Sequence, residues 1–164
     1  MPHAQSLTPG YRLNTDKVRR ALCRLAATVV SFDRLGRSGE PLRRLRDEIA
    51  NDEIAHLLVE TALANRLQLE HMQQLRDDPT ELSFPPFDET CGVFGWDEDA
   101  PSSQPLEFRE ACNKIVHADN VSVRCIEPET LYLEGRKGKD EWKVTIPIQS
   151  YIEISIKNFE NALG

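Results

Sequence analysis

At 164 residues, with 40% hydrophobic and 29% charged residues and a formal net charge of −7, the chain has the composition of one globular domain rather than a disordered or fibrous protein. No apolar run reaches the ~20 residues a membrane span requires, and the start, MPHAQSLTPGYRLN, lacks the basic and apolar regions of a signal peptide. A cytoplasmic protein with no membrane partner is expected, and with it reduced thiols. Cys23, Cys91, Cys112 and Cys125 show no CxxC spacing, so they read as buried thiols rather than a disulfide framework or a zinc site.

Residues 1–13, with Pro2, Pro9 and Gly10, read as a loose N-terminus. Asn14 or Thr15 can cap a first helix whose Val18, Leu22, Leu25, Val29 and Phe32 make one apolar stripe. Gly36 and RSGEP end it, and Pro41 suits the first turn of a second helix running from about Leu42 to about Leu75, bent or broken on the way. Its apolar residues include Leu45, Ile49, Leu58, Ala62, Leu69 and Met72, and the two helices should pack antiparallel. The charge is uneven along this plan. Residues 1–47 carry ten Lys and Arg against four acids, while the remainder carries ten against 23. Nine of those first ten cations are arginine, whose planar fork suits phosphate. Arg19, Arg20, Arg43 and Arg44 are the candidate nucleic-acid contacts; the alternative is an arginine-rich solvated surface facing the acidic remainder of the chain.

From residue 77 the helical period disappears. DDPTELSFPPFDETCGVFGWDEDAPSSQP holds five prolines, two glycines and eight acids without one Lys or Arg. Residues 77–104 therefore read as a long acidic loop, in part a packed flap because of Phe84, Phe87, Phe94 and Trp96. Pro105 is expected to open a third helix. Beyond it the period is two, with Val121, Val123 and Cys125, then Leu131 and Leu133, then Trp142, Val144 and Ile146, so residues 120–147 should form a three-stranded antiparallel meander. Ser150 and Glu153 have capping-box spacing for a last helix over residues 150–163. The expected fold is mainly α: a single helical bundle with a small antiparallel β-meander inserted before the last helix.

Within the third helix, FREACNKIVHADN holds one polar row. With Phe108 at zero on a helical wheel, Arg109, Asn113 and His117 fall at about +100°, +140° and +180°, beside an apolar arc of Phe108, Ala111, Cys112, Ile115 and Val116. A histidine moves protons near neutral pH and a guanidinium stabilises charge on phosphorus, which together suffice for metal-free phosphodiester chemistry. The plainer alternative is that Asn113 and His117 only bond the helix terminus and the loop after it. Elsewhere the chain offers less. Glu53, His56 and Glu60 share a helix face with Glu-x-x-His spacing, but a second such motif is missing and no metal is expected. GVFGW, Gly92 to Trp96, lacks the lysine of a phosphate loop, and no cofactor motif is present.

A late helix carrying Arg109, a polar residue and then His117 ahead of a loop resembles the HEPN superfamily, which includes ribonucleases of toxin–antitoxin and phage-defence systems. In that family four to six positions separate arginine and histidine, where this chain has seven. The resemblance implies a homodimer in which two copies of the helix face each other, and a metal-independent endoribonuclease or RNA-binding domain with a protein partner encoded nearby. His117 would assist attack of the ribose 2′-hydroxyl on the adjacent phosphate, Arg109 would stabilise the transition state and Asn113 would position it. The alternative of the same fold is a catalytically silent interaction or regulatory protein.

Overall fold

Asn14 starts the first helix, its side-chain oxygen accepting the amide of Lys17 at 3.1 Å. Helix α1 spans Thr15–Gly36 and buries Val18, Ala21, Leu22, Leu25 and Val29, the predicted stripe. These details come from a computed structural model that describes residues 14–80, 86–96, 103–124 and 128–160. Residues 1–13 and Phe84, Cys125 and Asn161, on which several expectations rest, lie outside the described residues.

The second helical region is three pieces. Helix α2, Glu40–Leu45, passes into a π-helical turn, Arg46–Ala50, and then into α3, Asn51–Asp77. A π turn holds one extra residue, which rotates the residues before it by about 100° relative to those after it. Ile54, Leu57, Leu58, Ala62, Leu69 and Met72 face inward after the turn, whereas Leu42, Leu45 and Ile49 before and within it are exposed. The Arg46 guanidinium lies over the Phe32 ring, 5.0 Å from its centroid, tying this turn to α1.

The expected helical bundle with a small meander is not what the chain builds. Five strands, β1 (Thr90–Phe94), β2 (Pro105–Glu107), β3 (Asn120–Arg124), β4 (Thr130–Lys137) and β5 (Asp140–Pro147), form one antiparallel sheet in the order β2-β1-β5-β4-β3. The meander β3-β4-β5 is the part foreseen. The other two strands come from the acidic segment and from the residues expected to open the third helix, which begins instead at Phe108. They escape a periodicity search for physical reasons. β1 and β2 bury one residue each, Cys91 and Leu106, and their ladder is irregular between Thr90 and Val93. Gly92 sits in that irregularity at φ +102°, where a Cβ would strike the carbonyl of Thr145 on β5. β1 then pairs with β5 through Val93 and Thr145, a partner far along the chain that no local pattern announces.

One sheet face is apolar, with Leu131 opposite Ile146 and Leu133 opposite Val144. Helices α4 (Phe108–Val116) and α5 (Ile148–Glu160) cover it, α3 lies across both, and α1 packs on α3 and α5. A polar seam joins α3 to α5. Thr61 and the Tyr151 hydroxyl are 2.9 Å apart, the Asn65 amide donates to Ser155 at 3.0 Å, and the Asn158 amide donates to Asn65 at 3.0 Å. These side chains are fully buried or nearly so, and each bond removes an otherwise costly buried polar group. Burial holds the Tyr151 phenol well above its ordinary value. Among the described residues no helix is long and apolar enough to cross a membrane.

The aromatics of the acidic segment do pack. Phe87 meets Phe108 edge-on at 5.8 Å between centroids, and Trp96 meets Tyr132 at 6.4 Å. Of the cysteines, Cys91 and Cys112 are buried as expected; Cys23 is exposed, contrary to expectation, because it lies on the solvent side of α1.

Candidate functional site

Helix α4 is nine residues long and strongly amphipathic, burying Phe108, Ala111, Cys112 and Ile115. The polar row lies where the wheel put it: Arg109 and His117 are exposed and Asn113 is half-buried. His117 ends the helix, its backbone amide donating to the Asn113 carbonyl at 3.1 Å, and the next segment is held by the Asp119 amide donating to the Glu134 carbonyl at 2.9 Å. Gly135 on β4 lets this end of α4 approach the sheet, because a Cβ there would collide with the Trp142 ring and press on the His117 carbonyl. Bordering the polar row, Lys114 pairs with Glu110 at 3.3 Å and lies over Trp142, 4.4 Å from its ring centroid.

The row is only partly a joint site. The Asn113 amide donates to Glu110 at 3.2 Å rather than to the helix terminus. Neither Arg109 nor His117 makes a side-chain hydrogen bond or ion pair among the described residues. Eight residues apart, they stand about 12 Å from each other along the axis, too far for one phosphate to bridge them within a short, rigid contact.

Helix α3 runs alongside the row. Near its C-terminus, Leu69, Gln73 and Arg76 enclose with Phe87, Phe108 and Arg109 a cavity of about 130 Å³, which Asp88 and Glu107 also line. Near its N-terminus, Ala55, Leu58 and Val59 face Val116, Ala118 and Val121 across a groove of about 370 Å³. Val59 and Gln73 are two heptads apart, so Arg66 lies on the same flank, midway. Since Gln73 lies beside Arg109 and Val59 beside Val116, Arg66 stands abreast of the middle of α4, level with Cys112 and Asn113. Burial raises the Cys112 thiol far above its ordinary value, while the positive charges of Arg66 and Arg109 both oppose that rise. Arg66 is half-buried and makes no hydrogen bond or ion pair among the described residues. It could not be found from spacing, because it belongs to another helix and reaches α4 only through packing.

Farther round α3, Val59, Leu63 and Leu67 form an exposed i, i+4, i+8 stripe with relative exposures of 38%, 44% and 39%. It separates the α4 row from α1, which holds the opposite flank of α3 through Arg24 with Glu53 and Lys17 with Glu60 at 3.4 Å. Glu53 and Glu60 are thus held by α1, and Glu60 also meets His56 within α3 at 3.8 Å.

The four arginines proposed to contact nucleic acid do not form one patch. Arg19 and Arg20 are exposed near the start of α1, whereas Arg43 and Arg44 lie on α2, beside its other end, about 20 Å away. Arg43 is also engaged, donating to Glu40 at 2.5 Å. Another cleft, of about 600 Å³, opens along the β4–β5 hairpin between Asp119, Glu134, Arg136, Glu141, Trp142 and Lys143. Its charges are mixed, and Arg136 pairs with Glu141 at 3.5 Å across it.

No known protein family matches this chain, and no curated protein and no solved structure matches it.

Proposed function

We propose that this chain is an RNA-binding domain whose Arg109–Asn113–His117 row becomes a metal-independent endoribonuclease site between two copies, in the manner of the HEPN ribonucleases it resembles. The observation that carries the reading is the joint exposure of the row and of the Val59–Leu63–Leu67 stripe beside it. A monomer leaves that apolar stripe in water and its arginine and histidine about 12 Å apart. Two copies of α4 placed antiparallel about an axis near Asn113 remove both faults. Arg109 then faces His117 of the partner subunit, twice over, and the stripes are covered.

In such a site His117 takes the proton of a ribose 2′-hydroxyl as its oxygen attacks the neighbouring phosphorus. The P–O5′ bond breaks, leaving a 2′,3′-cyclic phosphate, and the departing 5′-oxygen takes a proton from water to become a 5′-hydroxyl. Arg109 stabilises the charge that builds on the non-bridging oxygens, and Asn113 holds the phosphate between them. The partner proteins of toxin–antitoxin or phage-defence modules would act on the same surface.

The test is cleavage of single-stranded RNA in the presence of EDTA. Wild type should cut it, and His117→Ala should cut it ~10²–10⁴ times more slowly while its circular dichroism and melting are unchanged. Equal cleavage by the variant removes His117 from the chemistry. A second reading, a catalytically silent interaction domain of the same fold, draws on the engagement of Asn113 by Glu110; wild type that leaves RNA intact selects it.

A further inference from the structure

Arg66 of α3 lies level with the middle of the α4 row, nearer to His117 along the helix than Arg109 is. Three observations fix this. Val59, Arg66 and Gln73 recur at seven-residue spacing along one flank of α3. Val59 shares a groove with Val116 and Ala118, and Gln73 shares a cavity with Arg109. Both guanidiniums also act on Cys112, which is buried beneath them.

Two arginines on neighbouring helices, with no carboxylate within ion-pairing distance of either among the described residues, repel each other. Arg66 is moreover half-buried, where an unpaired guanidinium is poorly hydrated. An anion between them removes both penalties. Asn113 lies between Arg109 and His117 along the same flank, and its amide, which donates to Glu110 at 3.2 Å, is a neutral donor there.

We infer that Arg66 and Arg109 together form a phosphate-binding site on the α3–α4 surface, with Arg66 the guanidinium that holds the scissile phosphodiester of single-stranded RNA within reach of His117. This inference rests on the ribonuclease reading for its substrate, and the site is binding machinery that can be measured without turnover. Arg66 supplies a planar fork to two non-bridging oxygens. Arg109, at the far end of the row, holds the same or the preceding phosphate.

The probe is a 2′-O-methyl RNA oligonucleotide, which binds but has no 2′-hydroxyl to attack, read by fluorescence anisotropy at fixed salt. Arg66→Gln should weaken binding about tenfold, as expected for loss of charged hydrogen bonds to phosphate. Arg66→Lys, which keeps the charge and loses the fork, should lie between it and wild type. Lys139→Gln, an equal change of charge at the exposed β4–β5 turn, should change affinity less than about twofold. Melting of each variant shows that it is folded. The inference is overturned if folded Arg66→Gln and Arg66→Lys bind as wild type does, or if wild type does not bind the oligonucleotide. The outcomes separate the two readings: Arg66-dependent binding without EDTA-resistant cleavage of ordinary RNA refutes the catalytic reading alone, and cleavage undiminished by Arg66→Gln refutes the Arg66 assignment alone.

Discussion

At the scale of single residues, small side chains and buried polar groups set how α4 and the sheet meet. Gly92 combines a positive φ with a Cβ position occupied by the Thr145 carbonyl, so Gly92→Ala must both strain the backbone and displace β5. A loss of about 2 kcal/mol or more is expected in urea unfolding. Tyr151→Phe keeps the ring against Phe108 but leaves Thr61 without its cross-helix partner, and about 1 kcal/mol should be lost. The buried thiols give a pH dependence whose sign is determined. Burial pushes the Cys91 thiol up from its ordinary 9.0 to about 12, and Cys112 and Tyr151 move the same way. The unfolded chain therefore releases these protons first. Stability is intact below about pH 9 and falls as pH rises from there toward about 12, which urea midpoints at pH 8 and pH 10.5 would show. At neutral pH a thiol reagent should label Cys23 quickly and reach Cys91 and Cys112 only on unfolding, and equal labelling of all three would refute the buried assignment.

Among the elements, those that could be read in advance repeat locally. The stripe of α1, the pleated alternation of β3, β4 and β5, and the polar flank of α4 are each contained in one run of residues, and each is found where the pattern put it. Most of the features missed depend on something outside the run. Leu45 and Ile49 are an exception: both are exposed, and Ile49, nine residues before Leu58, falls about 180° from it at about 100° per residue. β1 and β2 are strands only because β5 and each other supply their hydrogen bonds, and each buries one side chain. Arg66 has no motif at all, since its place beside Asn113 comes from the crossing of α3 and α4. The π turn also makes a prediction. Leu45→Gln and Ile49→Gln, being exposed, should each change stability by less than about 0.5 kcal/mol in urea unfolding. A loss of several kcal/mol from either would place the residue in a core and contradict its described exposure.

Among the described residues, α3 with α4 along its edge combines the exposed Val59–Leu63–Leu67 stripe with Arg66, Arg109 and His117, which make no ion pair there. The proposed dimer covers that stripe, so Leu63→Arg should give a monomer by light scattering at tens of micromolar where wild type gives a dimer, with helical content unchanged. The same change should abolish RNA cleavage without touching a catalytic group. The most direct test of the shared site mixes two inactive proteins. Arg109→Ala and His117→Ala, each inactive alone, should regain about a quarter of wild-type EDTA-resistant cleavage when subunits exchange at equal concentration. About half of the dimers are then mixed, and each mixed dimer holds one complete site of two. Wild type that cleaves, beside an exchanged mixture that stays inactive, would contradict a site made from Arg109 of one subunit and His117 of the other.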